Sequence, residues 1–314
     1  MNQTTNSILM IRPVAFRMNE QTAVNNYYQK VLDGLSPENV NAKAREEFDD
    51  FVRKLKMAGV DVTVVDDTKD PDTPDSIFPN NWISFHENGD VVLYPMFAEN
   101  RRAERREDVL EILEEKGFHI DSIVDYTEAE TDNVFLEGTG SLLLDRANGK
   151  AYCALSPRAD EELLIEFCED MDFGPVIFKA FQTVNGKREL IYHTNVMMCL
   201  GETFAVICAD CIDDKQERKA VLESLREDGK EIILITEAQV NQFAGNMLEV
   251  RGAEGKRFLV MSAAAHQSLT KDQIGKLEKH ATILSSSLDT IEACGGGSAR
   301  CMMAEVFLPK QDQA

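Results

Sequence analysis

No apolar run in the sequence comes near the roughly 18 residues that a membrane span requires. Residues 1–7 hold no basic side chain ahead of the short apolar run 8–11, so the pattern of a secretory leader is missing and a cytoplasmic location is expected. Positive charge is scarce: 33 Lys and Arg stand against 55 Asp and Glu, a formal net charge of −22. Nucleic-acid phosphates and anionic lipid headgroups both need facing cations, so neither class of partner fits this balance. Its main consequence is solubility. Linkers and low-complexity tracts are also missing, and the chain reads as a single domain over residues 1–314. Its 43% apolar and 28% charged residues exclude a disordered chain. The cysteines do not make an even set: Cys153, Cys168, Cys199, Cys208, Cys211, Cys294 and Cys301 number seven. With no leader, they point to free thiols in a reducing compartment, one of which is then available as a nucleophile.

What the chain does have is repetition. A short β-rich apolar run, a polar loop, an amphipathic helix and another apolar run recur with starts at residues 91, 151, 204 and 258. A first copy begins near residue 8 and carries a long insertion. The expected helices span residues 101–116, 160–171, 213–229 and 270–280, with one more over 40–58 in the first copy. Ser156-Pro157 places a proline near a first turn, and Thr270-x-x-Gln273 has the form of a capping box. Extra strands fit residues 82–85, 141–144, 191–199 and 245–250, which makes each module strand, strand, helix, strand. A module this small cannot bury its apolar face alone, so neighbours must stack. Five together suggest a closed, pseudo-fivefold α/β array around a central axis; the plainer alternative is ordinary α/β alternation with chance spacing.

Four local motifs stand out. Cys294-Gly295-Gly296-Gly297-Ser298-Ala299-Arg300-Cys301 is glycine-rich. It is either a phosphate cradle, although no Gly-Lys-Ser/Thr follows, or a shaped turn that presents Cys301. Ile191-Tyr192-His193-Thr194-Asn195-Val196 reads as a strand with His193 and Asn195 on one side; the bland reading is a satisfied core histidine. Phe135-Leu136-Glu137-Gly138 holds a lone carboxylate beside glycines, for which a partner is expected. Phe78-Pro79-Asn80-Asn81-Trp82 reads as a turn and carries the only tryptophan. Weaker signals are Cys208-x-x-Cys211, read as a free pair rather than a metal site, and the arginines between 101 and 106, read as a solvated helix face. His86, His119, His266 and His280 have no distinctive company.

In this order, the Phe-Leu-Glu-Gly stretch, the later histidine and the Gly-Gly-Gly-x-x-x-Cys segment resemble the guanidine-modifying superfamily. Its members include arginine deiminases, dimethylarginine hydrolases, agmatine deiminases and amidinotransferases. The resemblance is strongest to the bacterial amidinotransferase-like branch that includes citrulline hydrolases. It implies the five-bladed α/β propeller, or pentein, fold, and neither a metal nor an organic cofactor. It assigns Cys301 as nucleophile, His193 as acid/base and Glu137 as the carboxylate that orients the histidine. The implied chemistry is thiolate attack on a guanidinium or urea carbon, with the thiolate stabilised beside an imidazolium. Arg158 matches a family arginine that grips the substrate carboxylate, and Arg12 and Arg17 match a family-like lid.

Where many relatives have aspartates against a cationic guanidinium, this chain has Asn81 and Asn195. An asparagine pair complements a neutral ureido group. The expected reaction is therefore hydrolysis of citrulline to ornithine, carbon dioxide and ammonia through an S-carbamoyl-type intermediate. The alternative is deimination, dihydrolysis or amidine transfer on arginine or a relative. A third reading is a non-catalytic binding module on the same fold.

Overall fold

The structure, a computed structural model, describes residues 1–32 and 34–311. Five three-stranded sheets repeat one plan: a first strand antiparallel to a middle strand, a connection carrying helix, and a third strand parallel to the middle one. In chain order these are Ile83–Phe85, Asp90–Leu93 and Ser122–Asp125; Leu142–Asp145, Lys150–Ala154 and Gly174–Phe178; Met198–Leu200, Phe204–Ile207 and Glu231–Leu234; and Leu248–Arg251, Arg257–Ser262 and Thr282–Ser286. The fifth is assembled from both ends of the chain. Ala304–Glu305 pairs antiparallel with Ser7–Arg12, which pairs parallel with Asp61–Asp66. A separate hairpin, Phe181–Val184 with Lys187–Leu190, precedes the third sheet.

The middle strands are apolar on both faces because both faces are covered: every residue of Phe204–Ile207 is buried. The third strands lie outermost, and three of the four residues of Ser122–Asp125 are exposed. Helices close the parallel connections. In Pro37–Met57, Val40, Ala44, Phe48, Phe51 and Leu55 recur every three to four residues and form the buried face, while the Ser36 hydroxyl accepts the Asn39 N–H at the N-terminus. Asp214 caps Lys215–Glu227 in the same way, and Thr270 with Gln273 makes the anticipated capping box on Lys271–Leu277.

Three local expectations are corrected. Residues 101–116 form two short helices, Glu99–Arg102 and Asp108–Glu115, because Arg101 turns inward and leaves the solvated face. Pro157 lies outside the following helix, Glu161–Asp170, which is capped by Asp160. Residues 191–199 are not one strand: a 3-10 turn, Thr194–Val196, interrupts them before Met198–Leu200. There the Thr194 hydroxyl donates to the Ser141 carbonyl at 2.6 Å and accepts the Ala154 N–H at 2.8 Å, so side-chain bonds to backbone replace a strand ladder.

First strands of different sheets pack side by side, Ala304–Glu305 beside Ile83–Phe85 and Met198–Leu200 beside both Leu142–Asp145 and Leu248–Arg251. The residue or short turn entering each first strand therefore points toward a shared centre. Pro79–Asn81, Glu137 with Gly138–Ser141, His193 with Thr194–Val196, Asn246 and Cys301 occupy that position in the five sheets.

Candidate active site

The Cys301 segment begins where the helix Asp289–Gly295 ends on Gly296, whose φ of +62° suits glycine. A Cβ on Gly295 would lie 2.7 Å from the Phe78 ring, so small size is also required there. The glycine carbonyls, not N–H groups, are turned to neighbours. Gly296 O accepts the Tyr192 hydroxyl at 2.5 Å, and Gly295 O accepts from Asn26 at 3.3 Å and from Gln29 at 3.2 Å. This favours the shaped turn over a phosphate cradle, which would present donors. Cys301 itself is buried, with Asn246 Nδ2 at 3.2 Å and Asn195 Nδ2 at 3.6 Å from its sulfur.

His193 Nε2 lies 2.7 Å from Glu137 Oε2. A carboxylate partner places the proton on Nε2 and leaves Nδ1 without one in the neutral ring. Nδ1 lies over Gly140, where a Cβ would come within 2.8 Å of it and within 2.4 Å of Asn81 Nδ2. Burial pushes the His193 imidazole down to about 4; Glu137 works against this, while Arg158 and Arg101 reinforce it. The resting imidazole is neutral at pH 7, which corrects the expectation of an imidazolium beside the thiol. Burial alone would raise the Glu137 carboxyl, but Arg158 at 3.4 Å, His193, and Arg101 at 4.0 Å hold it well below the usual carboxylate range. Its second oxygen accepts the Phe97 N–H at 3.0 Å. The lone carboxylate of the sequence is fully partnered.

Asn81 is oriented by Arg101. Arg101 NH1 donates to Asn81 Oδ1 at 2.9 Å, and its Nε and NH2 each donate to Glu104 at 2.9 Å. A guanidinium has no acceptor, so the Asn81 oxygen must face it. The Asn81 amide nitrogen, buried and without a partner, is left at the cavity. Arg158 is 2% exposed, hence no surface arginine. Its Nε donates to Asn25 Oδ1 at 2.9 Å and its NH2 to the Thr22 carbonyl at 3.0 Å, with its guanidinium 4.8 Å over the Tyr192 ring. Asn195 is turned to Cys301, to the Thr139 carbonyl at 3.3 Å and to Asn246. Arg12 is held by Asp49 and Arg17 by Asp72.

Cys301, His193, Asn81, Arg158 and Arg101 line one small cavity of about 10 Å³, room for about one water. Asp75 lines it as well. It is buried, accepts from Asn19 at 2.9 Å and Thr22 at 3.1 Å, and keeps its other oxygen unpartnered. The roof is a segment of residues 19–29 that engages Asp75, Arg158 and the glycine carbonyls. Neither Asp75 nor Asn246 carries a local sequence signal; an Asp-x-x-x-x-x-Asn spacing from Asp75 to Asn81 is the only trace. Elsewhere, Cys208 and Cys211 place their sulfurs 3.0 Å apart, and among the described residues no group of three or more His, Cys, Asp or Glu is arranged to hold a metal ion.

A family model described as N,N dimethylarginine dimethylhydrolase, eukaryotic, matches residues 12–308. No curated protein matches the chain. Among solved structures, apo ArgZ, described as an arginine dihydrolase from the ornithine-ammonia cycle in cyanobacteria, aligns at a TM-score of 0.73 and 18% identity, covering 98% of this chain and 41% of that one. The chain thus spans about two fifths of that relative. The isolated N-terminal domain of ArgZ bound to product aligns at 0.70 and 18% identity, covering 96% and 99%. A dimethylarginine dimethylaminohydrolase adduct with S-methyl-L-thiocitrulline aligns at 0.62 and 14%, covering 95% and 98%. Identities this low establish a shared α/β fold.

Proposed function

The chain belongs to the N,N dimethylarginine dimethylhydrolase family, and from that premise we propose that it is a cysteine-dependent hydrolase cleaving C–N bonds of the guanidino group of an arginine-like amino acid. The five sheets then close into a five-bladed α/β propeller, with one entry position from each sheet around the axis. The observation that carries the reading is convergence: Cys301 and His193, from different sheets, line one small cavity, and Glu137, from a third sheet, holds His193 from behind at 2.7 Å.

In the reaction, neutral His193 takes the Cys301 proton as the sulfur bonds to the guanidino carbon. Glu137 steadies the imidazolium so formed. The C–N bond breaks as His193 returns that proton to the departing nitrogen. Water, deprotonated by the same imidazole, then cleaves the S–C bond. Arg158 receives the amino-acid carboxylate and Asp75 its ammonium, an opposite-charge pair suited to both α-groups at once. A 10 Å³ cavity cannot hold an amino acid, so entry displaces residues 19–29, whose oxygens and amides now occupy Arg158 and Asp75.

A second reading, citrulline as the free substrate, rests on Asn81. Its unpartnered group is a donor, which matches a ureido C=O better than a guanidinium made only of donors. The family and the names of its relatives back the guanidino reading over this one. Dihydrolysis joins the two: arginine plus two waters gives ornithine, carbon dioxide and two ammonia, and the second half acts on a ureido-level carbon. Incubation with arginine, N-methylated arginines and citrulline, scored for ammonia, methylamines, citrulline and ornithine, separates the cases. Turnover of arginine with citrulline inert excludes the second reading. No turnover of any of these, with Cys301→Ala behaving as wild type in every property, favours the binding module and overturns the proposal.

A further inference from the structure

We infer that Asn246 is a further catalytic residue, whose amide N–H supports the negative charge of the Cys301 sulfur; this rests on the reading of Cys301 as nucleophile. Four of the five sheets deliver an already recognised site group at the entrance to their first strand. The fourth sheet delivers Asn246, two residues before Leu248–Arg251, and nothing in the proposed chemistry has used it. The side chain is fully buried. Its orientation is fixed at both ends. Oδ1 accepts the Arg300 backbone N–H at 3.0 Å, on the residue adjoining the nucleophile, so the other end of the amide must be nitrogen. That nitrogen lies 3.2 Å from Cys301 Sγ, 3.0 Å from the Asn195 backbone carbonyl oxygen and 3.2 Å from Asn195 Oδ1, so the sulfur and the two Asn195 oxygens share its two hydrogens.

A neutral thiol gains little from accepting an amide hydrogen, whereas a thiolate gains a charge-assisted bond. His193 rests as a neutral base paired with Glu137, and the sulfur is in hydrogen-bond contact with the Asn246 amide nitrogen at 3.2 Å and with both ends of the Asn195 amide, its nitrogen at 3.6 Å and its oxygen, which can accept the thiol proton, at 3.7 Å. The charge on sulfur therefore settles against amide donors, as an oxyanion does against backbone N–H groups. Asn246 is the nearer donor and also anchors the loop through Arg300. The titratable and charged groups that share the sulfur's cavity are Tyr192, His193, Arg158, Arg101 and Asp75, with Glu137 behind His193.

The test is the pH dependence of Cys301 alkylation by iodoacetamide in the full chain, followed by mass spectrometry of the Cys301 peptide. Asn246→Ala is expected to move the midpoint up by about one unit or more and slow alkylation at neutral pH about tenfold or more. Asn246→Asp, which places an acceptor or a negative charge there, should move it further. Asn246→Gln, if it regains the contact, should restore part of the rate. An unchanged midpoint in folded Asn246→Ala and Asn246→Asp, judged by near-ultraviolet circular dichroism, overturns the inference even if Cys301→Ser is inactive. Full turnover by Cys301→Ser instead overturns the nucleophile assignment itself.

Discussion

Glu292 makes a quantitative prediction about the segment that carries Cys301, the proposed nucleophile. It is buried at the base of that segment, in the helix Asp289–Gly295, and its Oε1 accepts the Ser298 hydroxyl at 2.5 Å. No cation within salt-bridge distance compensates it among the described residues, and burial pushes its carboxyl from 4.5 up to about 7, against the opposing hydrogen bonds from serine hydroxyls. Below pH 4.5 the carboxyl is protonated in both the folded and unfolded states and costs nothing. Between 4.5 and about 7 the unfolded chain releases this proton and the folded chain keeps it, so stability falls as pH rises. Above 7 the loss is complete. At about 1.4 kcal/mol per unit, a shift of that size amounts to about 3 kcal/mol. Glu292→Gln keeps an acceptor for Ser298 and removes the titration. Urea unfolding of both proteins across pH 4.5–8 should show the variant gaining about 3 kcal/mol on the wild type over that window and holding the gain above it. Parallel curves, or a gain that shrinks with rising pH, would refute the burial argument.

Other tests address the cavity. Gly140→Ala places a methyl within 2.4 Å of Asn81 and 2.8 Å of His193; a displacement of either should lower kcat about a hundredfold while the circular dichroism spectrum is preserved, and wild-type kcat would count against the packing described. Histidine NMR titration should find the His193 imidazole neutral until pH nears 4, as burial requires; a midpoint near 6.5 contradicts this. Arg158→Ala and Asp75→Asn should raise KM for an amino acid about tenfold or more. They should matter far less for a guanidine or urea lacking the α-groups, and equal losses on both substrates would argue against an α-group site.

The residues proposed to carry the chemistry are legible because Glu137, His193 and Cys301 each sit in distinctive short segments whose order along the chain is informative. Their partners are not. Arg101 stands in a run with Arg102, Arg105 and Arg106 that reads as a wet helix face, and only Glu104 and Asn81, met in three dimensions, draw it inward. Asn246 follows Ala244-Gly245 with no distinctive neighbours, and its meaning depends on a sulfur 55 positions later. Alternation suggests a strand at His193; the Thr194 hydroxyl bonds that break the ladder leave no pattern in the sequence. Four sheets are local enough to follow from repeat spacing. The fifth, which joins Ala304–Glu305 to Ser7–Arg12, is a pairing across the whole chain that periodicity cannot show.

The most direct test is to quench the enzyme during turnover of arginine, and separately of citrulline, and to weigh the peptide containing Cys301. A covalent adduct on that sulfur, formed and lost at rates consistent with product release and missing in Cys301→Ser, is the predicted result. Steady ornithine production with the Cys301 peptide unmodified at every time point, or with Cys301→Ser as active as wild type, would contradict it.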